Sequence, residues 1–134
     1  MPPTLVCKII CEGVREETGN KSTLFGVLGK RLLIQPDTHF PSRLVNLALF
    51  TRWIGLHEGE NVSLRIEYAD AVLLDQKNSS VKPKLSGKDD YVQVIFQLPG
   101  FPLKGFGEYC FKIFVGTNDK PIAEEILSVL SQES

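Results

Sequence analysis

The chain has 134 residues, 43% of them hydrophobic and 23% charged, with 15 basic against 16 acidic side chains for a formal net charge of -1. That is one ordinary domain, long enough to bury about two thirds of the surface its unfolded form exposes, so neither disulfide nor metal staples are required. The near-neutral balance excludes the basic footprint expected of a protein that binds nucleic acid or an anionic membrane surface.

In "MPPTLVCKII" the apolar run is broken at Lys8, so neither a signal peptide nor a membrane anchor is expected. The three cysteines are an odd number, which with no secretory signal points to a reducing compartment and a cytoplasmic location. The same stretch, "LVCKIIC", predicts a strand with Leu5, Cys7, Ile9 and Cys11 on one face and Ile10 on the other. Four residues of extended chain separate Cys7 from Cys11 by about 13 Å, which excludes a disulfide between them. Both are expected as small core hydrophobes.

"ETGNKS" places Gly19 and Asn20 at a hairpin tip. "STLFGVLGKRLLI" is apolar but interrupted by Gly26 and Gly29, as at a bulge or a close approach of backbones. The glycines of "GVLGKR" do not make a phosphate loop, since arginine rather than a hydroxyl residue follows Lys30 and strand surrounds it. "RLVNLALFTRW" is apolar on both faces from Leu44 to Phe50, which predicts a central strand covered on both sides. Next comes "NVSLRIEY", where Val62, Leu64, Ile66 and Tyr68 share one face and Asn61, Ser63, Arg65 and Glu67 the other.

Residues 76–90, "QKNSSVKPKLSGKDD", form the longest polar segment and are expected to be a loop, its lysines solvated. "YVQVIFQL" alternates again, with Val92, Val94, Phe96 and Leu98 inward. In "GEYCFKIFVG" Tyr109, Phe111, Ile113 and Val115 point inward, and Glu108, Cys110, Lys112 and Phe114 outward. The last segment, "DKPIAEEILSVL", is ambiguous. Ile122, Ile126 and Leu130 recur at helical spacing behind Pro121 and a possible Asp119 cap, yet the segment also closes a hairpin as a final edge strand. Residues 121–131 are thus strand or short helix.

These elements predict one all-β domain over residues 1–134: an antiparallel β-sandwich, immunoglobulin-like or jelly-roll-like, of about seven or eight strands.

Chemistry is sparse. No CxxC, HExxH or EF-hand pattern is present, and Asp70, Asp75, Asp89 and Asp90 read as solvated turn residues, so neither metal nor other cofactor is expected. Lys112 near Cys110 would favour a thiolate. A nucleophile also needs a base, and His39 and His57 lie in distant loops. The outward apolar residues Phe114, Ile95, Phe50 and Ile10 would form a patch around Cys110 and Lys112 if their strands were neighbours. Such a patch would be covered either by a partner or second copy, or by the C-terminal segment. Trp53, beside Arg52, is the candidate platform for a small ligand or carbohydrate, with a core tryptophan as the alternative.

"ICEGVREETGNKSTLFGVLGKRLLI", through Cys11, Glu12, Val14, Arg15, Glu17, Gly19, Lys21 and Gly26, resembles the opening of an uncharacterised family of short bacterial proteins, a domain of unknown function. "LALFTRW" and "GFGEYCFKIFVG" are similar to that family's central strand and its G-x-Y-x-F hairpin. The resemblance implies a β-sandwich and brings no activity or site with it. The hairpin is also similar to those of immunoglobulin-like modules, a likeness of fold only.

The functional expectation is a non-catalytic interaction or accessory module, binding another protein or itself through a sheet face or edge. The alternative is a small-ligand or carbohydrate-binding module at Trp53 and Arg52, and a Cys110-dependent enzyme comes last.

Overall fold

The computed structural model describes residues 3–17, 21–44, 46–57, 60–80 and 91–132, and over these the chain is all-β with no helix. The strands are β1 (Thr4–Glu17), β2 (Lys21–Leu28), β3 (Arg31–Ile34), β4 (Ser42–Leu44), β5 (Ala48–Ile54), β6 (Asn61–Tyr68), β7 (Ala71–Ser80), β8 (Tyr91–Gln97), β9 (Phe101–Leu103), β10 (Gly107–Val115) and β11 (Ala123–Ser131). They form a four-stranded sheet in the order β2-β1-β5-β8, a five-stranded sheet in the order β3-β11-β10-β6-β7, and the small pair β4-β9. This sandwich has more strands than the seven or eight expected, because the short strands β3, β4 and β9 leave no alternation long enough to read. Every pairing is antiparallel except β11 with β3, which is parallel.

The clean alternations hold. Val62, Leu64, Ile66, Tyr109, Phe111, Ile113 and Val115 from the larger sheet meet Leu49, Trp53, Val94 and Phe96 from the smaller, all buried in one core. Burial of this size supplies the main folding drive, at roughly 25 cal/mol per Å² of apolar surface. Two polar side chains that enter the core, Trp53 and Tyr109, have hydrogen-bond partners. Trp53 Nε1 donates to Thr51 Oγ1 at 2.8 Å, and Thr51 Oγ1 donates to the Val94 carbonyl at 2.6 Å. The Tyr109 hydroxyl accepts from the Lys104 and Gly105 amides at 2.9 and 3.1 Å and donates to the Gly105 carbonyl at 2.7 Å, gripping the loop before β10. Burial pushes the Tyr109 phenol above its ordinary pKa.

Within residues 121–131, Ala123–Ser131 form a strand, but not an edge strand. β11 lies between β10 and β3, and Lys8 of the other sheet reaches Glu125 at 3.5 Å across the rim of the sandwich. Glu125 therefore shares the inward face of Leu127 and Val129, which is why the alternation looks irregular there.

β1 departs from its expected facing. A register shift between Leu5 and Cys7 turns the strand, so Leu5 and Ile10 pack on the core while Cys7, Ile9 and Cys11 lie on the outer side. Cys11 is nevertheless wholly buried there, its thiol donating to the Ala48 carbonyl at 3.8 Å.

The second half of β1 pairs with β2 as a hairpin arm, Glu17 opposite Lys21; its expected tip at Gly19 and Asn20 lies outside the described residues. In the arm Gly26 adopts φ +63° with the Glu12 carboxylate lying against it, and the Phe25 ring closely covers Gly13 across the pair. A side chain at either glycine would collide with those groups. Ser22 Oγ donates to Gln93 Oε1 at 2.5 Å and Gln97 Nε2 donates to the Val14 carbonyl at 3.4 Å. Gln93 and Gln97 point outward from β8, so the arm lies over the outer side of its own sheet.

The polar segment expected as a loop is partly strand, since β7 runs through Ser80; residues 81–90 lie outside the described residues. β6 and β7 join through Ala69 and Asp70, both in the left-handed region at φ 51° and 63°.

Candidate functional site

The two outer sides of the sandwich differ. On the four-stranded sheet, Ile9, Phe50 and Ile95 stand in register, as do Cys11 and Ala48. Phe50 is only 3% exposed, and the hairpin arm lies on this side of the sheet. Arg52, on the same side, holds its guanidinium 5.8 Å from the Phe50 ring and 5.9 Å from the Tyr91 ring.

The expected joint patch does not form. Phe50 and Ile95 belong to β5 and β8, whereas Cys110, Lys112 and Phe114 belong to β10 in the other sheet, on the opposite outer side of the sandwich. Ile10, the fourth member, is in the core. The C-terminal segment is no cover either, because it is a strand of the larger sheet. Trp53 and Arg52 likewise part company. They are consecutive on β5 and so face opposite ways, and Trp53 has no exposed surface, which removes it as a ligand platform.

The outer side of the five-stranded sheet is laid out in rows by its register. One row runs Val72, Glu67, Cys110, Ile126; the next runs Asp75, Arg65, Lys112, Glu124. Glu67 accepts from Lys112 at 3.0 Å and pairs with Arg65 Nε at 3.1 Å. The hydrogen bond from Lys112 holds the Glu67 carboxyl below its ordinary pKa, and the same contact raises that of Lys112. Phe114 is largely covered, with the Arg65 guanidinium 4.7 Å from its ring centroid.

Cys110 sits within this charged lattice, and the lattice works against a thiolate. Burial pushes its thiol up, the Glu124 carboxylate adds to the rise, and Lys112 offsets only part of it. The cation expected to activate Cys110 is engaged by Glu67, and neither His39 nor His57 lies in the strands around it.

Exposed apolar side chains gather one strand further on, with exposed Glu124 among them. Ile122 (42%), Ile126 (40%) and Leu130 (38%) face outward along the β11 segment, and Leu33 (56%) stands beside Leu130 on β3. The sequence contained this signal, because a spacing of four puts residues on one face of a strand as well as of a helix. Beyond Phe114 an open, polar hollow of about 390 Å³ is lined by Ser63, Arg65 and Asp75 and by the turn Gly116–Asp119. Among the described residues no group of three or more His, Cys, Asp or Glu could hold a metal ion, and no helix is long and apolar enough to cross a membrane. Neither a protein-family model nor a curated protein matches this chain.

Proposed function

We propose that this protein is a non-catalytic interaction module that docks another polypeptide on the outer side of the five-stranded sheet, along β11. The observation that carries the reading is the exposed apolar set Ile122, Ile126 and Leu130, flanked by Leu33 and Cys110, beside the Arg65–Glu67–Lys112 ion pairs at the centre of the same sheet face. Isolated exposed apolar residues are ordinary, but Ile122, Ile126, Leu130 and Leu33 recur along one margin of one sheet face, with Glu124 and Ser128 interspersed, and such clustering fits a contact surface. The raised Cys110 thiol and its engaged lysine support a packing rather than a chemical role for that residue.

Photo-crosslinking tests it. A benzophenone amino acid at Ser128, between Ile126 and Leu130, is expected to yield discrete adducts in the protein's native cells, while the same group at exposed Arg15 on the hairpin arm yields none. Absence of any adduct from Ser128 ends the docking reading.

The hollow beside Phe114 favours a second reading, a small polar ligand held by Arg65 and the Gly116–Asp119 turn, since its volume is within the range of ligand sites. Its openness and the engagement of Arg65 with Glu67 and Phe114 place it second.

A further inference from the structure

We infer that the occupant of this surface is a second copy of the same chain, packed face to face about a two-fold axis through the Cys110–Ile126 row. The inference rests on the docking reading above and gives it a partner. A two-fold lying in the contact plane, perpendicular to the strands, reverses strand direction, so each residue meets the one equally far on the other side of the axis.

The pattern on β10 and β11 is self-complementary under that operation. Cys110 and Ile126 are paired in register and lie on the axis. Ile122 and Leu130 are four residues either side of Ile126, so each meets the other's copy, and both are exposed and apolar. Glu108 and Lys112 are two residues either side of Cys110, with opposite charge, so each meets its complement. The row containing Glu108 continues through Ser128 to Arg31 on β3, and the row containing Lys112 continues to Glu124. Arg31 therefore approaches Glu124 of the second copy from one strand away, about 4.8 Å, within reach of its long side chain. Along β3, β11, β10 and β6, like charges fall together only at Glu67, which Lys112 and Arg65 already neutralise.

The size suits a modest dimer. β11 has nine residues, about 30 Å of strand, and three to four strands about 4.8 Å apart give roughly 400–600 Å² per copy. That is at the low end for specific association, so the dimer is expected to be concentration-dependent.

Sedimentation equilibrium over a dilution series reads the outcome. The wild-type chain is expected to pass from monomer to dimer as concentration rises. Ile126→Glu, which sets two carboxylates on the axis, is expected to weaken the dimer at least about tenfold. Arg31→Glu and Glu124→Arg are each expected to weaken it about threefold or more, and the double swap to restore it. In a Cys7→Ser background a short bismaleimide is expected to join two chains through Cys110, and Cys110→Ser to abolish that product. Circular dichroism melts confirm that each variant folds.

A wild-type chain that stays monomeric up to millimolar concentration overturns the inference, as does a dimer indifferent to Ile126→Glu or a double swap that fails to restore binding. If Ser128 cross-links only to chains of other masses, self-pairing is wrong and docking stands. If Ser128 cross-links to nothing, both fall.

Discussion

Both outer sides of this sandwich carry apolar side chains, and they finish them differently. The four-stranded sheet lines up Ile9, Phe50 and Ile95, and the chain lays its own β1–β2 arm over that side, with Gly26 at positive φ and Gly13 beneath the Phe25 ring. The five-stranded sheet sets its apolar line at the β11–β3 margin, covers Phe114 with Arg65, and leaves Ile122, Ile126 and Leu130 exposed. Apolar outward residues in a strand thus do not identify a contact surface by themselves. What distinguishes the two sides is whether a hairpin long enough to return is attached, and among the described strands β1, the longest at 14 residues, supplies one.

Substitutions can break this contrast, in descending order of effect. Phe50→Ala should destabilise the fold by about 3–5 kcal/mol in urea melts if the arm closes a true second core over it; a loss near zero would mean that side is open. Gly26→Val, at positive φ and against the Glu12 carboxylate, should cost about 2 kcal/mol or more and speed amide exchange in β2 ahead of β10. Ser22→Ala removes one anchor of the arm, with an expected loss of about 1 kcal/mol, read by the same exchange in β2. Ile126→Ser, on the open side, should change monomer stability by no more than about 0.5 kcal/mol.

The smallest effect is a pH dependence. The Glu67 carboxyl is held low in the folded chain, so its contribution is present above the ordinary carboxylate pKa and fades as pH falls through the lowered value. Because the group is exposed, solvent screening keeps that contribution small. Glu67→Gln should lower stability slightly at and above neutrality and flatten the acid limb, so that the two curves converge at low pH in urea melts.

Strand facing was legible wherever a strand is buried on one side only. Val62–Tyr68, Val92–Leu98 and Tyr109–Val115 alternate in sequence because each has the core on one face and water or charge on the other. Reading failed where the cause is not local. A bulge between Leu5 and Cys7 shifts the facing of the rest of β1, and no composition marks it. Trp53 and Phe50 both sit in a strand covered on two sides, so parity cannot say which cover each one meets. The grouping of Phe50 and Ile95 with Phe114 failed because sheet membership depends on which distant strands pair, and alternation carries no information on that. The β11 line was visible as a spacing of four, yet that spacing serves a strand face and a helix face equally.

The parallel partnership of β3 with β11 has a temporal consequence. Gln35 and Gln132, just past the ends of these strands, are 97 positions apart and joined by a 3.3 Å hydrogen bond. On a ribosome, β3 therefore emerges long before the strand that seats it, and β10 waits with a bare edge until β11 appears. A chain interrupted between Val115 and Ala123 would present that edge to its neighbours. Closure of the larger sheet thus waits for β11, whose pairing with β3 spans more of the sequence than any other strand pairing among the described residues.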